Sequence, residues 1–332
     1  MMMIGAAFAV GMLFGGVMTA DVSGGEAQRL TSTGGLEDCR QYRYINPDYA
    51  CGKRSTVRKT SYSAFVSQLE EMLAAERASG ALQVAGIHFR DLRGGPVWGI
   101  SESINFAPAS LLKLPLVMAY LSLAESTPGL MEREMVFDAA RLARYDKLQQ
   151  SERAASELQA GQRYKLEELA RRAIIYSDNV AYYLLVDYIN VDVPDGTAFV
   201  TRTFQELGVI DPRSIREETV TARIYAALFR LLYNVSYLNA ESSERLLGWL
   251  VEARFGKGLI AGLPSGTVVA NKYGERELPD GTAHLHDCGI VYFPGNPYLL
   301  CVMTKGKSWD ELGRIIATVS GRVWKELESR RQ

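Results

Sequence analysis

Strand-like segments near both ends of the chain enclose a long helical stretch, and this order restricts the folds that the chain can adopt. The runs LQVAGIHFRD and VWGISES flank LRGGP, which is the pattern of a β-hairpin. Residues 110–249 are almost wholly helical in pattern, and three strand-like runs follow them, TVVANKYGERE, AHLHDCGIVYF and YLLCVMTKG. One antiparallel sheet joins the strands of both ends most economically, with the helical stretch as an inserted second lobe.

Two amphipathic helices flank these strands. The first, at residues 62–80, has its apolar side chains on one face, and the last, at residues 309–324, repeats the same spacing. The sequence therefore predicts an α+β fold in two lobes, with an antiparallel sheet flanked by the terminal helices and an inserted all-helical lobe. We expect a site where the two lobes meet, because pockets favour such interfaces.

The composition fits a folded protein and argues against some partners. Hydrophobic residues make up 47% of the 332 residues and charged residues 23%, as in ordinary globular proteins. The net charge of −1 provides no electrostatic footprint for nucleic acid or for an anionic lipid surface. We therefore expect no nucleic-acid partner.

The N-terminal residues form an apolar segment. Residues 1–20 contain no charged side chain and have the length that spans a bilayer. The segment is either a cleaved signal peptide or a membrane anchor, and the poor cleavage site before Asp21 favours the anchor. Residues 21–61 are interpreted as a linker and N-terminal extension, and residues 62–330 as the folded domain. The bulk of the protein is expected outside the cytoplasm.

Four cysteines are compatible with an extracytoplasmic location. Cys39 and Cys51 flank a short run and are candidates for a disulfide that closes a small loop. Cys288 and Cys301 lie in neighbouring strand-like runs joined by PGNP. A turn centred near Gly295–Asn296 would pair Cys301 with Ile290 rather than with Cys288, so we expect two buried free thiols there.

The stretch FAPASLLKLP places Ser110 three residues before Lys113 in apolar surroundings. Pro108 favours a helix start, so Ser110 falls in a first turn, where free backbone N–H groups and the helix dipole stabilise negative charge. Lys113 lies over the same face, and a buried lysine with a lowered pKa can take the proton of a serine and activate it as a nucleophile. The alternative is an accidental pair with the lysine turned to water.

Two further polar groups interrupt apolar runs. Ser177, Asp178 and Asn179 form a corner between two helical patterns, where such residues also serve as helix caps without any chemistry. Lys272 emerges from an apolar strand two residues before Gly274, and a strand glycine often marks the close approach of another backbone or a ligand. An edge-strand lysine that discourages aggregation is the alternative.

The order of these groups is more specific than any one of them. S-x-x-K, then S-D-N, then K-x-G, each in its expected element, is the motif set of class A β-lactamases and penicillin-binding proteins. Over residues 62–330 the sequence resembles this superfamily. The resemblance implies a β-lactamase/DD-peptidase-like fold and a serine hydrolase that opens cyclic amides through an acyl-enzyme.

The resemblance also implies a role for each motif residue. Ser110 would be the acylated nucleophile, Lys113 its general base or proton relay, and Ser177 the proton donor to the leaving nitrogen. Asn179 would hold the amide side chain of the substrate, and Lys272 would supply positive charge toward the substrate carboxylate.

The strand motif departs from the family pattern. K-[TS]-G is here K-Y-G, so Tyr273 before Gly274 replaces a small hydroxyl that usually meets the substrate carboxylate, and Arg276 is a nearby cation that can compensate. The oxyanion hole implied by the resemblance consists of the backbone N–H groups of Ser110 and Glu275.

A second departure concerns release of the acyl group. Between the second and third motifs, class A enzymes carry a loop glutamate that activates the deacylating water, and this sequence has little room for such a loop. Glu217 and Glu218 are weak candidates, better explained as favourable charges in a first helical turn. Slow deacylation is therefore expected.

The function expected from these residues is that of a class A β-lactamase-like serine hydrolase acting on β-lactams. The alternatives are a D-Ala-D-Ala peptidase acting on cell-wall peptides and a non-catalytic cell-wall-binding protein. No cofactor is expected, nor a metal site, because nothing indicates the further ligand that zinc would need beside His284 and His286. We expect a monomer held at the membrane by its N-terminal segment.

Overall fold

A computed structural model describes residues 42–51, 61–142, 156–209 and 220–331 of the chain. The N-terminal segment, its linker and Cys39 lie outside the described residues, and so does the side chain of Cys51. The strands run as follows: β1 Leu82–Asp91, β2 Val97–Ile100, β3 Glu134–Val136, β4 Arg163–Lys165, β5 Val269–Glu277, β6 Ala283–Val291 and β7 Tyr298–Gly306.

The helices of the described residues are bounded as follows: α1 Pro47–Cys51, α2 Ser63–Ala78, α3 Lys113–Ser126, α4 Ala139–Leu142, α5 Leu166–Ile175, α6 Asn179–Val191, α7 Gly196–Glu206, α8 Ala222–Tyr233, α9 Ala240–Val251 and α10 Trp309–Ser329. Two 3-10 turns, Ala109–Leu112 and Leu259–Gly262, come directly before α3 and shortly before β5.

The main sheet joins strands from both ends of the chain. Its order is β2-β1-β7-β6-β5, and every neighbouring pair is antiparallel. The hairpin β1–β2 therefore meets the C-terminal strands through β7, as expected from the order of elements in the sequence. The predicted α+β architecture is confirmed.

Two hydrophobic cores cover the two faces of this sheet. One is shared with α2 and α10 and includes Phe65, Leu69 and Ile316, all buried. The other is shared with the helical lobe and includes Leu114 and Phe229. Burial of apolar surface stabilises a fold by about 25 cal/mol per Å², so each layer is held to the sheet by its own apolar contacts.

Helix α3 runs through the centre of the helical lobe, and its residues 113–121 are all buried. The stretch Ala109–Ser126 is long and apolar enough to cross a bilayer, with a mean hydropathy of 1.2, but more than half of it is buried inside the protein. It is therefore a core helix. Pro115 lies in the first turn of α3, the part of a helix that tolerates proline best.

The expectation of free thiols at Cys288 and Cys301 is wrong, because the two residues form a disulfide. They are directly paired across β6 and β7, and Val291 pairs with Tyr298 at the turn. The hairpin is thus centred between Pro294 and Gly295, slightly before the centre assumed from the sequence. A small change in register changes which residues face each other across the strands.

Residues 42–51 cover part of the helical lobe. Three consecutive backbone N–H groups, from Arg43 to Ile45, donate to the Glu244 carboxylate on α9 at 2.6–3.0 Å. Ile45 is buried, and the Tyr44 carbonyl accepts a hydrogen bond from the Tyr292 hydroxyl at 2.9 Å. This segment, which lies within the predicted linker and N-terminal extension, therefore packs on the core.

Candidate active site

Ser110 lies in the 3-10 turn that leads into α3, and this turn is held from two sides. The Ala107 carbonyl lies 2.9 Å from His286 Nε2 on β6, and the Leu111 carbonyl accepts a hydrogen bond from the Tyr225 hydroxyl at 3.0 Å. His286 Nδ1 accepts the Thr304 N–H, which leaves Nε2 as the donor.

The backbone of this turn is strained just before the nucleophile. Ala109 has a φ of 48°, a left-handed conformation that costs free energy for a residue with a side chain. Ser177, in the facing corner, has a φ of 53°. Such strain persists where the surrounding structure enforces it, and both positions lie next to the proposed chemistry.

The Lys113 amine is the centre of the site. It lies 2.7 Å from Ser110 Oγ, 2.7 Å from the Ser177 carbonyl oxygen, 2.6 Å from Asn179 Oδ1 and 3.2 Å from Ser177 Oγ. The Ser177 carbonyl and Asn179 Oδ1 can only accept hydrogen bonds, whereas the two serine hydroxyls can also donate.

This contact set suits a neutral amine. A neutral lysine has two N–H groups for the two obligate acceptors and one lone pair, which can accept the hydroxyl hydrogen of Ser110. Burial lowers the pKa of Lys113 to about 7, although the charges of Asp178 and Glu275 act in the opposite direction. Lys113 therefore has the protonation state and the geometry of a general base near neutral pH.

The corner of Ser177 and Asn179 is fixed by the residue between them. Asp178 caps α6 by accepting the Ala181 N–H at 3.1 Å, and its other oxygen accepts from Ser156 Oγ at 2.8 Å and Arg172 Nε at 3.2 Å. The corner is thus a helix cap, as the sequence also allowed. The cap holds Ser177 and Asn179, which flank Asp178, against the Lys113 amine.

Lys272 on β5 reaches the same corner from the sheet. Its side chain is 0% exposed, so the interpretation as a solvated edge-strand lysine is wrong. Its amine donates to Ser177 Oγ and to the Tyr273 carbonyl, each at 2.9 Å. Burial and the nearby charge of Lys113 lower the pKa of Lys272 well below its ordinary value.

A buried carboxylate lies on the neighbouring strand, at the residue paired with Tyr273. Asp287 on β6 accepts the Leu259 N–H at 2.7 Å and the Asn271 side-chain amide at 2.8 Å. Burial raises the pKa of Asp287 to about 6, partly offset by the hydrogen bonds from Asn271 and Leu259 and then by the charge of Lys272. The Asp287 charge in turn opposes the lowering of the Lys272 pKa.

Gly274 is required by close packing between β5 and the nucleophile turn. A Cβ atom there would lie 3.0 Å from the Pro108 carbonyl oxygen, 3.0 Å from Leu111 Cγ and 3.2 Å from the Leu111 nitrogen. The neighbouring Glu275 is therefore brought beside the turn that carries Ser110.

Replacing Gly274 with valine is expected to lower the rate of acylation at Ser110 at least about tenfold, because the side chain forces β5 away from this turn. The rate of adduct formation with benzylpenicillin, followed by intact mass, measures this effect. Gly313→Ala on α10, whose added Cβ meets only ordinary contacts of 3.6–3.8 Å, is the matched control and keeps the wild-type rate. A wild-type rate in Gly274→Val would mean that this close approach is not needed.

The remaining strand residues predicted for the site are not fully buried. Tyr273, Glu275 and Arg276 are each partly exposed, as are Ser110 and Asn179. The Glu275 carboxylate acts on both lysines, because its charge opposes the lowering of their pKa values. Its side chain therefore contributes to the electrostatics of the site, beyond the backbone N–H expected from the sequence.

The structure brings Ser110, Lys113, Ser177 and Lys272 into one hydrogen-bonded cluster. Their roles in catalysis stay predictions, as do the roles of the predicted binding residues. Glu217 and Glu218 lie outside the described residues.

Sequence reasoning missed three residues that shape the site: His286, Tyr225 and Phe255. From the sequence, His286 was considered only as a zinc ligand. Its contact with the Ala107 carbonyl joins two segments that are far apart in the chain, and no local pattern indicates it. Phe255, in a loop before β5, stacks on Tyr273.

Comparison with known proteins identifies the fold and the family. The beta-lactamase of Citrobacter koseri is 27% identical over 220 residues, which span 63% of this chain and 71% of that protein. Among solved structures, PBP-A has a TM-score of 0.67 at 21% identity and covers 83% of this chain and 100% of its own. The TLA-3 extended-spectrum beta-lactamase has a TM-score of 0.69 at 20% identity, covering 80% and 99%. At these identities the structural likeness shows the fold, which is the β-lactamase-like fold predicted.

The family is identified by a match between the sequence and a family model. A family model described as the beta-lactamase enzyme family matches residues 64–327, which include all three motifs. The prediction of a β-lactamase-type serine hydrolase is confirmed at the level of the family. With its fold, its motif order and this match in agreement, the chain belongs to the beta-lactamase enzyme family.

Proposed function

We propose that this enzyme opens β-lactam rings through an acyl-enzyme on Ser110 and releases the acyl group slowly. The observation that carries the proposal is the Lys113 amine, whose contacts link Ser110 to Ser177 and Asn179 within 3.2 Å. β-Lactams are the proposed substrates because the chain belongs to the beta-lactamase family and its relatives carry that name.

Acylation begins with proton transfer from Ser110 to Lys113. Ser110 Oγ attacks the ring carbonyl while its proton moves to the amine, 2.7 Å away. A pKa of about 7 leaves about half of the amine neutral at pH 7. The proton then passes to Ser177 Oγ, 3.2 Å from the amine, and from there to the ring nitrogen as the C–N bond breaks.

Two further groups orient the substrate in this proposal. Asn179 Oδ1 is bound to Lys113 at 2.6 Å, so the amide N–H₂ is the end that can donate to a substrate carbonyl. The backbone N–H groups of Ser110 and Glu275 are the proposed oxyanion hole, supported by the close packing of β5 on the nucleophile turn at Gly274.

Slow deacylation is proposed because the sequence has little room between the second and third motifs for the loop glutamate that activates the deacylating water. Among the described residues, the Ser110 hydroxyl is hydrogen-bonded to the Lys113 amine. The carboxylate of Asp178 is committed to Ala181, Ser156 and Arg172. With no glutamate assigned to activate the deacylating water, we expect the acyl-enzyme to form faster than it is hydrolysed.

An extracytoplasmic location is part of the proposal. The disulfide between Cys288 and Cys301 supports it, because such bonds persist in oxidising compartments. The apolar segment of residues 1–20 supports attachment to a membrane.

The test is the intact mass of the full chain in detergent, followed over time after mixing with benzylpenicillin. The proposal expects one adduct per chain that forms quickly and decays slowly while penicillin is consumed. Rapid decay with fast consumption would contradict slow deacylation. A permanent adduct without consumption would favour the peptidase, which acylates in the same way on cell-wall peptides. No adduct would contradict acylation altogether and favour the binding protein.

A further inference from the structure

Three polar side chains surround the hydroxyl of Ser177. The Lys272 amine donates a hydrogen bond to Ser177 Oγ at 2.9 Å, and the Lys113 amine lies 3.2 Å from the same atom. The hydroxyl of Tyr273 forms a further side-chain hydrogen bond with Ser177. The proposed mechanism passes a proton from Lys113 to Ser177, but it gives the Tyr273 hydroxyl no part.

The hydrogen-bonding capacity of Ser177 indicates what this hydroxyl does. A serine hydroxyl has one hydrogen to donate and two lone pairs that accept. Once Lys113 is protonated, it has three N–H groups, two of which face the Ser177 carbonyl and Asn179 Oδ1. The third can donate to Ser177 Oγ, as Lys272 does, so the two amines fill both lone pairs. The hydrogen of Ser177 is then left for the Tyr273 hydroxyl to accept.

Two contacts hold the ring of Tyr273 in this position. The ring stacks on Phe255, with 4.0 Å between ring centres and 8° between ring planes, and the Lys272 amine lies 4.5 Å from the ring centre. Burial and the charge of Glu275 raise the pKa of Tyr273 to about 12, and the hydrogen bond with Ser177 acts in the opposite direction. The phenol is therefore a neutral hydrogen-bond partner at physiological pH and not a second base.

This arrangement sets the direction of the Ser177 hydrogen. Ser177 is only 3% exposed, whereas Tyr273 is partly exposed. A hydrogen directed at the Tyr273 hydroxyl points away from both amines, and it can pass to a ring nitrogen that approaches Ser177 from that direction. Because the donor is already oriented, the proton transfer requires no prior rotation of the serine hydroxyl.

We propose that Tyr273 is a positioning residue, whose hydroxyl holds the Ser177 hydroxyl in the direction that protonates the leaving nitrogen. The inference rests on the proposed acylation at Ser110 and deepens its last step. In that step the C–N bond breaks, the nitrogen takes the hydrogen of Ser177, and Lys113 returns a proton to Ser177 Oγ. Tyr273 neither gains nor loses a proton.

The test is a double-mutant cycle on acylation by benzylpenicillin, measured as the rate of adduct formation by intact mass for the full chain in detergent. Tyr273→Phe removes the hydroxyl and keeps the ring, so acylation is expected to slow about tenfold, the effect of one hydrogen bond. Ser177→Ala is expected to slow it at least about 10²-fold. Adding Tyr273→Phe to Ser177→Ala is expected to have no further effect, because Tyr273 acts through Ser177. Equal slowing in both backgrounds would overturn the proposal.

A second substrate separates proton delivery from general damage to the site. The thioester of phenylacetylglycine with mercaptobenzoic acid presents a similar acyl group, but its aryl thiolate leaves without taking a proton. Tyr273→Phe is therefore expected to leave the rate of acylation by this thioester unchanged while it slows acylation by benzylpenicillin. If both reactions slow to the same extent, the hydroxyl supports the site in another way and its proposed role is wrong.

The matched control is Tyr298→Phe. It removes a buried hydroxyl that has no hydrogen-bond partner among the described residues, so the wild-type rate is expected with both compounds. The outcomes also separate the two proposals. If the wild type forms no adduct with benzylpenicillin, acylation at Ser110 itself is wrong. If it forms one and Tyr273→Phe reacts at the wild-type rate, only the role of Tyr273 is wrong.

Discussion

Replacing Ser110 with alanine is expected to abolish covalent labelling by benzylpenicillin. The hydroxyl of Ser110 is partly exposed and lies 2.7 Å from the Lys113 amine, which can take its proton. Ser177 is not a substitute, because it is only 3% exposed and its Oγ contacts the amines of Lys113 and Lys272. Intact mass after prolonged incubation is the measurement, and no adduct is the expected result.

Ser126→Ala is the matched control for this change. Ser126 is exposed and lies at the C-terminal end of α3, the end opposite the site. Its hydroxyl donates a hydrogen bond to the Leu123 carbonyl at 3.0 Å. We expect it to be labelled at the wild-type rate. An adduct that persists in Ser110→Ala at a wild-type rate would show that another residue is acylated, and the assignment of the nucleophile would be wrong.

The parts of the fold that follow from local pattern were predictable. Alternating and helical periodicities identify the strands and the terminal helices, and the chain order of these elements leaves few ways to assemble them. The site was predictable for a similar reason, since S-x-x-K, S-D-N and K-x-G each fall in the expected element. Each motif alone often occurs by chance, but all three rarely occur by chance in this order and in these elements.

Features that depend on register were not predictable. The pairing of Cys288 with Cys301 follows from a turn centred between Pro294 and Gly295, and the sequence PGNP also permits a later centre. A disulfide requires the correct centre, because side chains alternate between the faces of a sheet.

Contacts between distant elements were the other gap. His286 holds the Ala107 carbonyl from a strand almost at the other end of the sequence, and burial lowers its pKa to about 3, so it stays neutral there. The Lys272 amine lies 4.5 Å from the centre of the Tyr273 ring. Tyr273 is recognisable in the sequence as a departure from the family pattern, but its stacking on Phe255 is visible only in the fold.

Replacing Lys113 with methionine is expected to slow acylation about 10³-fold, the typical contribution of a general base. Methionine has a similar length and fills the buried position without an amine. The matched control is Lys165→Met, which removes an exposed lysine paired with Glu132 at 2.6 Å. The rate of adduct formation with benzylpenicillin is the measurement, and the control is expected to keep the wild-type rate.

The pH dependence of acylation identifies the amine more directly. Only the neutral form of Lys113 accepts a proton, so the wild-type rate is expected to rise with pH through about 7 and then level off. Lys113→Met should lose this rise. If the rise persists in the variant, another group is the base.

The same substitution has a predictable effect on stability. The pKa of Lys113 is about 7 in the folded chain and has its ordinary value of 10.5 in the unfolded chain. Between these values the unfolded chain binds the proton that the folded chain has released, so the free energy of unfolding of the wild type rises with pH. Below pH 7 both states are protonated, and the cost of the buried charge is present in full.

Lys113→Met removes this dependence. Its stability relative to the wild type is therefore expected to be greater at pH 6.5 than at pH 9, by about 2 kcal/mol, as measured by urea unfolding at both values. Release of Lys272 from the nearby charge of Lys113 acts in the same direction. A difference that does not change with pH would contradict a lysine with a lowered pKa at this position. A variant that is slower in acylation and also more stable in acid would show that the enzyme retains a destabilising buried amine because its chemistry requires one.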